Sequence, residues 1–301
     1  MPSDLILKRL DINDRDILMP YLISNPYDIC DFSFSNIFMW RNSHPVDYAI
    51  HKGFLVLLSS TFDGKRHFFM PLGLGKGNLQ EIINDMIFWS FANNRDFSMI
   101  GLTDKMIKEL AFLGPDFIVA DAMVWDYIYN TDDLIHLKGR KFHAKRNHIN
   151  KFNSRYDYEY RALETAHIPL CTELLNNWNV GDNHNKWLAA DCFAIGEALQ
   201  NFDNLKMSGG CLFVDGRLGA FTMGQPVNDE VFAVHVEKGL TCYEGIYSKI
   251  NQMFAERVCV GFKYINREED MGIEGLRKSK MSYNPAFLMY KRQGVIKCLS
   301  N

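Results

Sequence analysis

The chain has 301 residues, of which 47% are hydrophobic and 23% are charged, and its formal net charge is −3. These values exclude a disordered or fibrous chain, and the near-neutral balance gives no overall sign of a nucleic-acid binder. The seven cysteines are scattered singly without a Cys-x-x-Cys pair, which argues against a disulfide framework or a zinc knuckle and suits a reducing cytosol.

The elements predicted along the chain form a weak internal repeat. Each half begins with a predicted strand and helix, over residues 5–23 in the first half and 158–176 in the second. Each half continues with a predicted hairpin, whose strands are 54–60 and 66–73 in the first half and 211–214 and 217–224 in the second. The two hairpin turns are predicted at Asp63-Gly64 and Asp215-Gly216. An Asp-Gly pair between apolar runs is a strong hairpin signal, because the turn requires positive φ angles.

An amphipathic helix follows each hairpin. Its apolar face repeats at helical spacing, with Leu79, Ile82, Ile83, Met86 and Ile87 in the first half and Ile246, Ile250, Met253 and Phe254 in the second. Each helix leads into a strand (97–102 or 262–266), and each half closes with another strand (122–129 or 286–292). This order of elements is typical of the GNAT fold. Periodicity alone predicts two similar α+β halves. With the order of elements interpreted as a GNAT fold, the predicted class is α+β, with two tandem GNAT-like domains, each a mixed, mostly antiparallel sheet flanked by helices.

Three segments are expected from this repeat: an N-terminal GNAT-like domain over 1–130, a basic helical connector over 131–156, and a C-terminal GNAT-like domain over 157–301. Gly139 interrupts the connector, and helical segments are predicted on both of its sides. The N-terminal domain is expected to be a non-catalytic scaffold, because its segment 101–110 is an ordinary helix where the second half carries a polar stretch.

The connector is the first candidate binding segment. Between Lys138 and Tyr156 it has no Asp or Glu and carries seven positive side chains, namely Lys138, Arg140, Lys141, Lys145, Arg146, Lys151 and Arg155. A patch of one sign can bind the phosphates of tRNA, coenzyme A or a phospholipid head group. The alternative is a solvated helix face.

The polar stretch 265–285 is the second candidate. Glu268 and Asp270 follow a predicted strand, and either carboxylate can serve as the base that acyl transfer requires. Arg277 and Lys280 can hold a phosphate or carboxylate of the donor. The alternative is a salt-bridged surface loop.

The strand 232–239 is the third candidate. Its alternation places His235 and Glu237 on one face, and in a GNAT-like half this strand borders the acyl-transfer cleft, so either residue is a candidate catalyst. The alternative is a structural histidine.

Several motifs are absent from the sequence. It has no Walker A motif, no Rossmann glycine fingerprint, no zinc-protease pattern and no nucleophile elbow. We therefore expect no metal site. No cysteine or serine lies in a recognisable nucleophile setting, so we expect direct attack on the acyl donor without a covalent enzyme intermediate.

The stretches 133–152 and 265–285 together resemble the signatures of a bacterial family grouped with the C-terminal domain of phosphatidylglycerol lysyltransferases. The resemblance implies a tandem GNAT arrangement shared with Fem-type peptidyltransferases, which move an aminoacyl group from aminoacyl-tRNA to a lipid or a peptide amine. The family elements match Lys145, Arg146 and Asn147 and, in the second stretch, Asn266, Arg267, Glu268, Asp270, Arg277, Lys280, Ser282 and Tyr283. With the residues of the strand 232–239 added, the catalytic candidates are Glu268, Asp270, His235 and Glu237, and the substrate-binding candidates are Lys145, Arg146, Asn147, Asn266, Arg267, Arg277, Lys280, Ser282 and Tyr283.

The expected function is transfer of an aminoacyl group from aminoacyl-tRNA to an amine or hydroxyl of a lipid or peptide. An acyl-coenzyme A-dependent N-acyltransferase is the first alternative, although 237–250 lacks the spacing of the usual pyrophosphate loop. A non-catalytic module that binds an anionic ligand is the second. No tightly bound cofactor is expected; aminoacyl-tRNA or acyl-coenzyme A would be a co-substrate. No apolar run approaches the roughly 20 residues that span a bilayer, so we expect a cytoplasmic protein or one at the membrane periphery.

Overall fold

In a computed structural model of the chain, residues 5–61, 63–75, 77–121, 124–178 and 186–298 are described. The chain forms two compact units. Unit 1 comprises Met1–Asp126 and Met289–Asn301, and unit 2 comprises Tyr127–Leu288.

Unit 1 combines short strands with four-turn or shorter helices. Its strands up to the unit boundary are β1 (Lys8–Arg9), β2 (Val46–His51), β3 (Phe54–Ser60), β4 (Arg66–Phe68), β5 (Leu72–Gly73), β6 (Phe97–Leu102) and β7 (Ile118–Val119). Its α-helices are α1 (Arg15–Ile23), α2 (Phe34–Met39), α3 (Leu79–Ala92) and α4 (Asp104–Glu109), and its 3-10 helices are Ile12–Asp14, Cys30–Phe32 and Ala111–Asp116.

Unit 2 begins inside a strand and ends inside another. The strands from the boundary onward are β8 (Val124–Asn130), β9 (Tyr158–Ala162), β10 (Ser208–Val214), β11 (Arg217–Pro226), β12 (Val231–Gly239), β13 (Tyr264–Asn266) and β14 (Phe287–Ile296). The α-helices are α5 (Thr131–His136), α6 (His143–Arg155), α7 (Ile168–Trp178), α8 (Lys186–Gln200), α9 (Phe202–Leu205), α10 (Ile246–Arg257) and α11 (Glu274–Met281), and the 3-10 helices are Arg140–Phe142 and Thr165–His167.

Each unit has a mixed, mostly antiparallel sheet. In unit 1, β1, β2, β3 and β4 pair antiparallel in succession, β5 pairs with β3, β4 pairs parallel with β6, and β14 pairs antiparallel with β6 and β7. In unit 2, β9, β10, β11 and β12 pair antiparallel in succession, β12 pairs parallel with β13, and β13 pairs antiparallel with β8. The predicted α+β class with two GNAT-like halves is confirmed.

The predicted repeat appears as matching elements. The hairpins are β3–β4 and β10–β11, the helices that follow are α3 and α10, and the strands after them are β6 and β13. Val214 pairs with Arg217, and the two residues between them, Asp215 and Gly216, have φ angles of 49° and 78°, as the Asp-Gly signal predicts. The strand predicted over 122–129 is found from Val124, and 122–123 lie outside the described residues.

The last strand of each sequence half pairs with a strand of the other half, and each of these pairings lies within one unit. Residues 128–130 of β8 pair with β13 in unit 2, and Arg292–Ile296 of β14 pair with β6 in unit 1. The linear boundaries expected at 130 and 157 therefore differ from the units, which divide between Asp126 and Tyr127 and return residues 289–301 to unit 1. Local sequence gives only the order of strands, while their partners depend on pairing between distant segments.

The connector is helical on both sides of Gly139, as predicted, with α5 before it and α6 after it. It packs within unit 2, because Phe152 of α6 is fully buried in a cluster with Leu212 and Val214 of β10 and Ile250 of α10. Burying a side chain of this size stabilises the fold by roughly 1.5–3 kcal/mol. The connector is thus part of the unit 2 core.

Candidate active site

Polar side chains of unit 2 meet where the parallel pairing of β12 with β13 ends. The pairing stops at Ala233 and Asn266. On the other edge of β12, Met223 is paired with Val236 and Gly224 with Val234, so His235 is an extra, bulged residue. A bulge redirects a side chain and bends the strand. His235 therefore lies at an irregular point of the sheet, beside the segment that follows β13.

His235 forms a close pair with Glu268. The distance between His235 Nδ1 and Glu268 Oε1 is 2.6 Å. The histidine side chain is fully buried, whereas 20% of the glutamate side chain is exposed. Glu268 is therefore the member of the pair that solvent or a substrate can reach.

The backbone after β13 has an unusual conformation. Glu268 has φ 59°, which lies in the left-handed region that side chains other than glycine rarely adopt. Its N–H donates to Oδ1 of the fully buried Asn266 at 2.7 Å, and its carbonyl accepts from the N–H of Tyr127 at 3.2 Å. The Nζ of Lys280 also donates to this carbonyl and to those of the two adjacent residues. These bonds fix the direction of the Glu268 side chain.

A buried ion pair lies beside the His235–Glu268 pair. Nη2 of Arg267 donates to Oε1 of Glu237 at 2.9 Å, and their side chains are 10% and 12% exposed. The Nδ2 of Asn251, on α10, donates to Oε2 of the same carboxylate at 3.1 Å. Within the described residues, Nη1 of Arg267 and Oδ1 of Asn251 are buried without a hydrogen-bond partner. The cluster thus retains one buried donor and one buried acceptor.

The connector reaches this cluster through Lys145. Its Nζ lies 3.7 Å from the centre of the Tyr283 ring, and Cζ of Arg267 lies 4.8 Å from the same ring. The Tyr283 hydroxyl donates to Oγ of Ser248 on α10 at 3.3 Å. Burial, reinforced by the positive charge of Arg267, lowers the pKa of Lys145 to about 8. The two candidate stretches, connector and 265–285, are therefore in direct contact within unit 2.

Asp270 is held in a separate set of contacts. Its carboxylate accepts from the Tyr127 hydroxyl at 2.6 Å, from Nε of Arg277 at 2.7 Å and from the N–H of Gly272 at 2.9 Å. These contacts, led by the bond from Arg277, lower the pKa of Asp270 to about 2. A carboxylate that resists protonation and is already paired is poorly suited to accept a proton near neutral pH, so we assign Asp270 and Arg277 to the support of the loop.

We expect Asp270→Asn to lower the free energy of unfolding by about 1–2 kcal/mol at pH 7. The folded-state pKa lies below the ordinary 3.8, so the carboxylate stabilises the fold above about pH 4, and this contribution is lost as the pH falls through about 2. Urea unfolding of both proteins from pH 7 to pH 2.5 should show the difference shrinking only below pH 4. Glu274→Gln, which removes an exposed carboxylate paired with Lys278, is the control and should change little. A difference that stays constant down to pH 2.5 would contradict the assignment.

The other predicted site residues make local contacts. Nη1 of Arg146 donates to the carbonyls of Leu137 and Gly139, which ties the end of α5 to α6. Asn147 is exposed, and its Nδ2 lies 3.4 Å from Nδ1 of His143. Oγ of Ser282 donates to the carbonyl of Ser279 at 2.5 Å. The structure does not bring these three side chains into the His235–Glu268 cluster.

The positive charge of the connector is partly neutralised in space. Lys141 lies 2.9 Å from Asp133, and both Lys151 and Arg155 pair with Glu244. The two acidic partners, Asp133 and Glu244, lie outside the segment 138–156, which itself contains no Asp or Glu. Lys138 and Arg140 are exposed beside the start of α6.

The sequence interpretation missed the site residues that helix α10 and strand β8 contribute. Ser248 and Asn251 are polar and buried on α10, three residues apart and so on one helix face. Tyr129 on β8 donates its hydroxyl to the Lys280 carbonyl at 2.8 Å. The polar i, i+3 pair on the amphipathic helix was the available signal for α10; nothing local marked Tyr129.

Unit 1 contains a separate buried charge cluster. Nζ of Lys291 lies 2.9 Å from Asp31 and 2.8 Å from Asp126, and the N–H of Cys30 donates to Asp126 at 2.9 Å. Cys30, Asp31 and Asp126 have potential metal-ligand atoms within 4.8 Å of one another. The lysine ammonium already supplies the positive charge among these groups.

The chain is similar to known proteins in sequence and in fold. The sequence profile of the family described as phosphatidylglycerol lysyltransferase, C-terminal, matches residues 26–291. A conserved protein of unknown function from Bacteroides thetaiotaomicron VPI-5482 is 38% identical, with a TM-score of 0.92 over 97% of this chain and 99% of that one. Among curated proteins, none matches the chain.

Two more distant structures share the fold. The C-terminal domain of a candidate lysylphosphatidylglycerol synthetase from Agrobacterium fabrum is 14% identical, with a TM-score of 0.68 over 95% of this chain and 92% of that one. FemX is 8% identical, with a TM-score of 0.59 over 98% of both chains. None of the described helices combines the length and apolar character needed to cross a membrane. The profile match and the resemblance of 133–152 and 265–285 agree, and the chain belongs to the family of phosphatidylglycerol lysyltransferase C-terminal domains.

Proposed function

We propose that unit 2 transfers an aminoacyl group from aminoacyl-tRNA to a hydroxyl or amine of an acceptor. The observation that carries the proposal is the 2.6 Å pair between His235 and Glu268, at the point where β12 and β13 cease to pair. It combines a reachable carboxylate with a buried imidazole, which is an arrangement suited to moving a proton. The family description, which names a lysyltransferase acting on phosphatidylglycerol, supports the same reaction class.

In the proposed reaction, the acceptor nitrogen or oxygen attacks the ester carbonyl of the aminoacyl group, and Glu268 takes its proton. His235 holds the carboxylate in place through its hydrogen bond. Collapse of the tetrahedral intermediate breaks the bond to the ribose oxygen of tRNA, which takes the proton from Glu268. One ester bond is broken, one ester or amide bond is formed, and no covalent enzyme intermediate arises.

The neighbouring cations suit the charge that develops on the carbonyl oxygen. Lys145 is half-buried and lies over the Tyr283 ring, and Arg267 keeps one buried N–H donor without a partner in the described part of the chain. Preorganised donors in a site of low polarity stabilise an oxyanion strongly. We assign Lys145 and Arg267 to this electrostatic role.

The packing at α10 favours tRNA over acyl-coenzyme A as the donor. A side chain at Gly245, which precedes the first turn of α10, would bring its Cβ within 2.4 Å of the His148 carbonyl oxygen on α6. The N–H of Glu244 donates to the Tyr156 hydroxyl at 3.3 Å, and the Glu244 carboxylate is paired with Lys151 and Arg155. A helix N-terminus is a ready anion site only where its N–H groups are open; here α6 and its following residues are packed against it.

The acceptor is proposed from the family description alone. A phosphatidylglycerol lysyltransferase places its aminoacyl group on a lipid hydroxyl, so the first acceptor to test is a hydroxylated anionic lipid, with a peptide amine as the second. Transfer of labelled amino acid from a pool of charged tRNA to either acceptor would support the function. Absence of both transfer and tRNA binding at low salt would contradict the proposed function. Thermal stabilisation by acyl-coenzyme A alone would favour the acyltransferase alternative.

The connector provides a direct test of tRNA binding. We expect the double variant Lys138→Glu/Arg140→Glu to weaken tRNA binding roughly tenfold at low salt and to reduce the salt dependence of binding, because each cation removed is a lost phosphate contact. Fluorescence anisotropy with labelled tRNA over a range of salt concentrations measures both effects. The control is Lys65→Glu/Lys297→Glu, which makes the same charge change at exposed positions of unit 1. Equal weakening by both double variants would show that only net charge matters.

A further inference from the structure

Lys280 is a buried lysine close to the candidate site. Only 7% of the Lys280 surface is exposed, although lysine is rarely buried unless its charge is compensated. Its Nζ donates to three successive backbone carbonyls, those of Arg267 at 2.5 Å, Glu268 at 3.2 Å and Glu269 at 2.5 Å. An ammonium has three N–H donors, so this set can use all of them. Charge-assisted hydrogen bonds of this kind are stronger than neutral ones and offset the burial.

The three carbonyls belong to the segment that carries the site. Glu268 has φ 59° within it, a conformation that requires support from its surroundings. The side chains of Glu268 and of the preceding residue face β12, where Arg267 binds Glu237 and Glu268 binds His235. The end of α11 is itself fixed, because the Tyr129 hydroxyl donates to the Lys280 carbonyl. Lys280 therefore links a fixed helix to the segment that aims both charged side chains.

We propose that Lys280 is a positioning residue, which clamps the carbonyls of residues 267–269 and thereby sets the Glu268–His235 pair. The inference rests on the proposed function for its consequence in catalysis, but the clamp itself is a property of the fold. It replaces the sequence-based expectation that Lys280 holds a phosphate or carboxylate of the donor. A lysine whose ammonium is surrounded by three carbonyls contributes to transfer through the geometry of Glu268.

The test compares Lys280→Met with Lys278→Met. Methionine keeps most of the volume of the lysine stem and removes the three donors. Lys278 is on the same helix and 75% exposed in a pair with Glu274, so its replacement is the matched control. Hydrogen exchange of the full chain is measured first, because it needs no substrate. We expect the protection factors of the Tyr127, Arg267 and Glu268 amides to fall at least tenfold in Lys280→Met, while the protection factors of the amides in β10 and β11 stay unchanged.

Transfer kinetics then separate positioning from binding. A displaced catalytic group costs on the order of 10²-fold in rate, so Lys280→Met should lower kcat by about that factor and leave the Kd for tRNA unchanged. Unchanged exchange at residues 127 and 267–268 would overturn the clamp, and so would a uniform loss of protection that includes β10 and β11. Weakened tRNA binding with normal local exchange would restore the binding role. If the unsubstituted chain shows no transfer, the exchange result still decides the clamp, so failure of the function and failure of the inference are distinguishable.

Discussion

Glu268→Gln is expected to reduce the turnover of aminoacyl transfer by roughly 10²–10⁴-fold, the usual range for removal of a general base. Glutamine has nearly the same size and can still bond to His235, so the loop geometry should be kept. What is lost is the ability to take a proton from the acceptor. The Kd for tRNA should be unchanged, because in the proposed reaction Glu268 acts on the acceptor and not on the phosphates. Single-turnover transfer from labelled aminoacyl-tRNA measures the chemical step directly.

Two further variants sharpen this prediction. His235→Gln should lower the rate less than Glu268→Gln, because the fully buried imidazole acts through the carboxylate. Glu274→Gln removes an exposed glutamate of the neighbouring helix and should leave turnover unchanged. If Glu268→Gln keeps more than a tenth of the activity while His235→Gln abolishes it, the assignment of the base is reversed. If both keep full activity, the pair is structural, as one of the sequence-based alternatives holds.

The sequence predicted most of the fold where the signal is local. The Asp215-Gly216 turn follows from the φ angles that its residues tolerate, and α3 and α10 follow from apolar periodicity. The pairing of β8 with the second half of the chain and of β14 with the first half was not predictable, because the apolar run at 286–292 looks the same whichever sheet contains it. Strand partners are set by contacts between segments more than a hundred residues apart, which a single sequence does not display.

For the candidate site, the sequence indicated which segments hold the candidate residues, but it did not indicate the role of each residue. The polar stretch after β13 and the pair on β12 were both selected, and the structure joins them through Glu268 and His235. The roles within 265–285 depend on burial, which the sequence could not supply: Asp270 and Glu268 look equivalent in the chain, yet one is locked to Arg277 and the other is reachable. The same limit applies to the connector, where Glu244 neutralises two cations from outside the run.

Breaking the buried Arg267–Glu237 pair is expected to have the largest effect on stability. Within the described residues, Arg267→Met leaves the buried Glu237 carboxylate with the Asn251 amide as its hydrogen-bond partner, and Glu237→Gln leaves the Arg267 guanidinium without its counter-charge. Removing one member of a buried pair typically costs 3–5 kcal/mol. Urea unfolding at pH 7, followed by amide exchange of β12 and α10, measures the loss in unit 2.

The double variant Arg267→Met/Glu237→Gln distinguishes charge compensation from simple packing. If each charge is tolerated only because of the other, the double variant should be more stable than the sum of the single losses indicates, by about 1–3 kcal/mol. The exposed pair Lys263–Glu230, whose side chains are 60% and 64% exposed, should show no measurable coupling in the same cycle. Additive losses at Arg267 and Glu237 would mean that the guanidinium is held by the rings of Tyr129 and Tyr283. In that case the donor left on Arg267 would not depend on Glu237, and Glu237→Gln alone should keep transfer activity. A coupled pair makes the opposite prediction, because the carboxylate then fixes the guanidinium to which we assign stabilisation of the oxyanion.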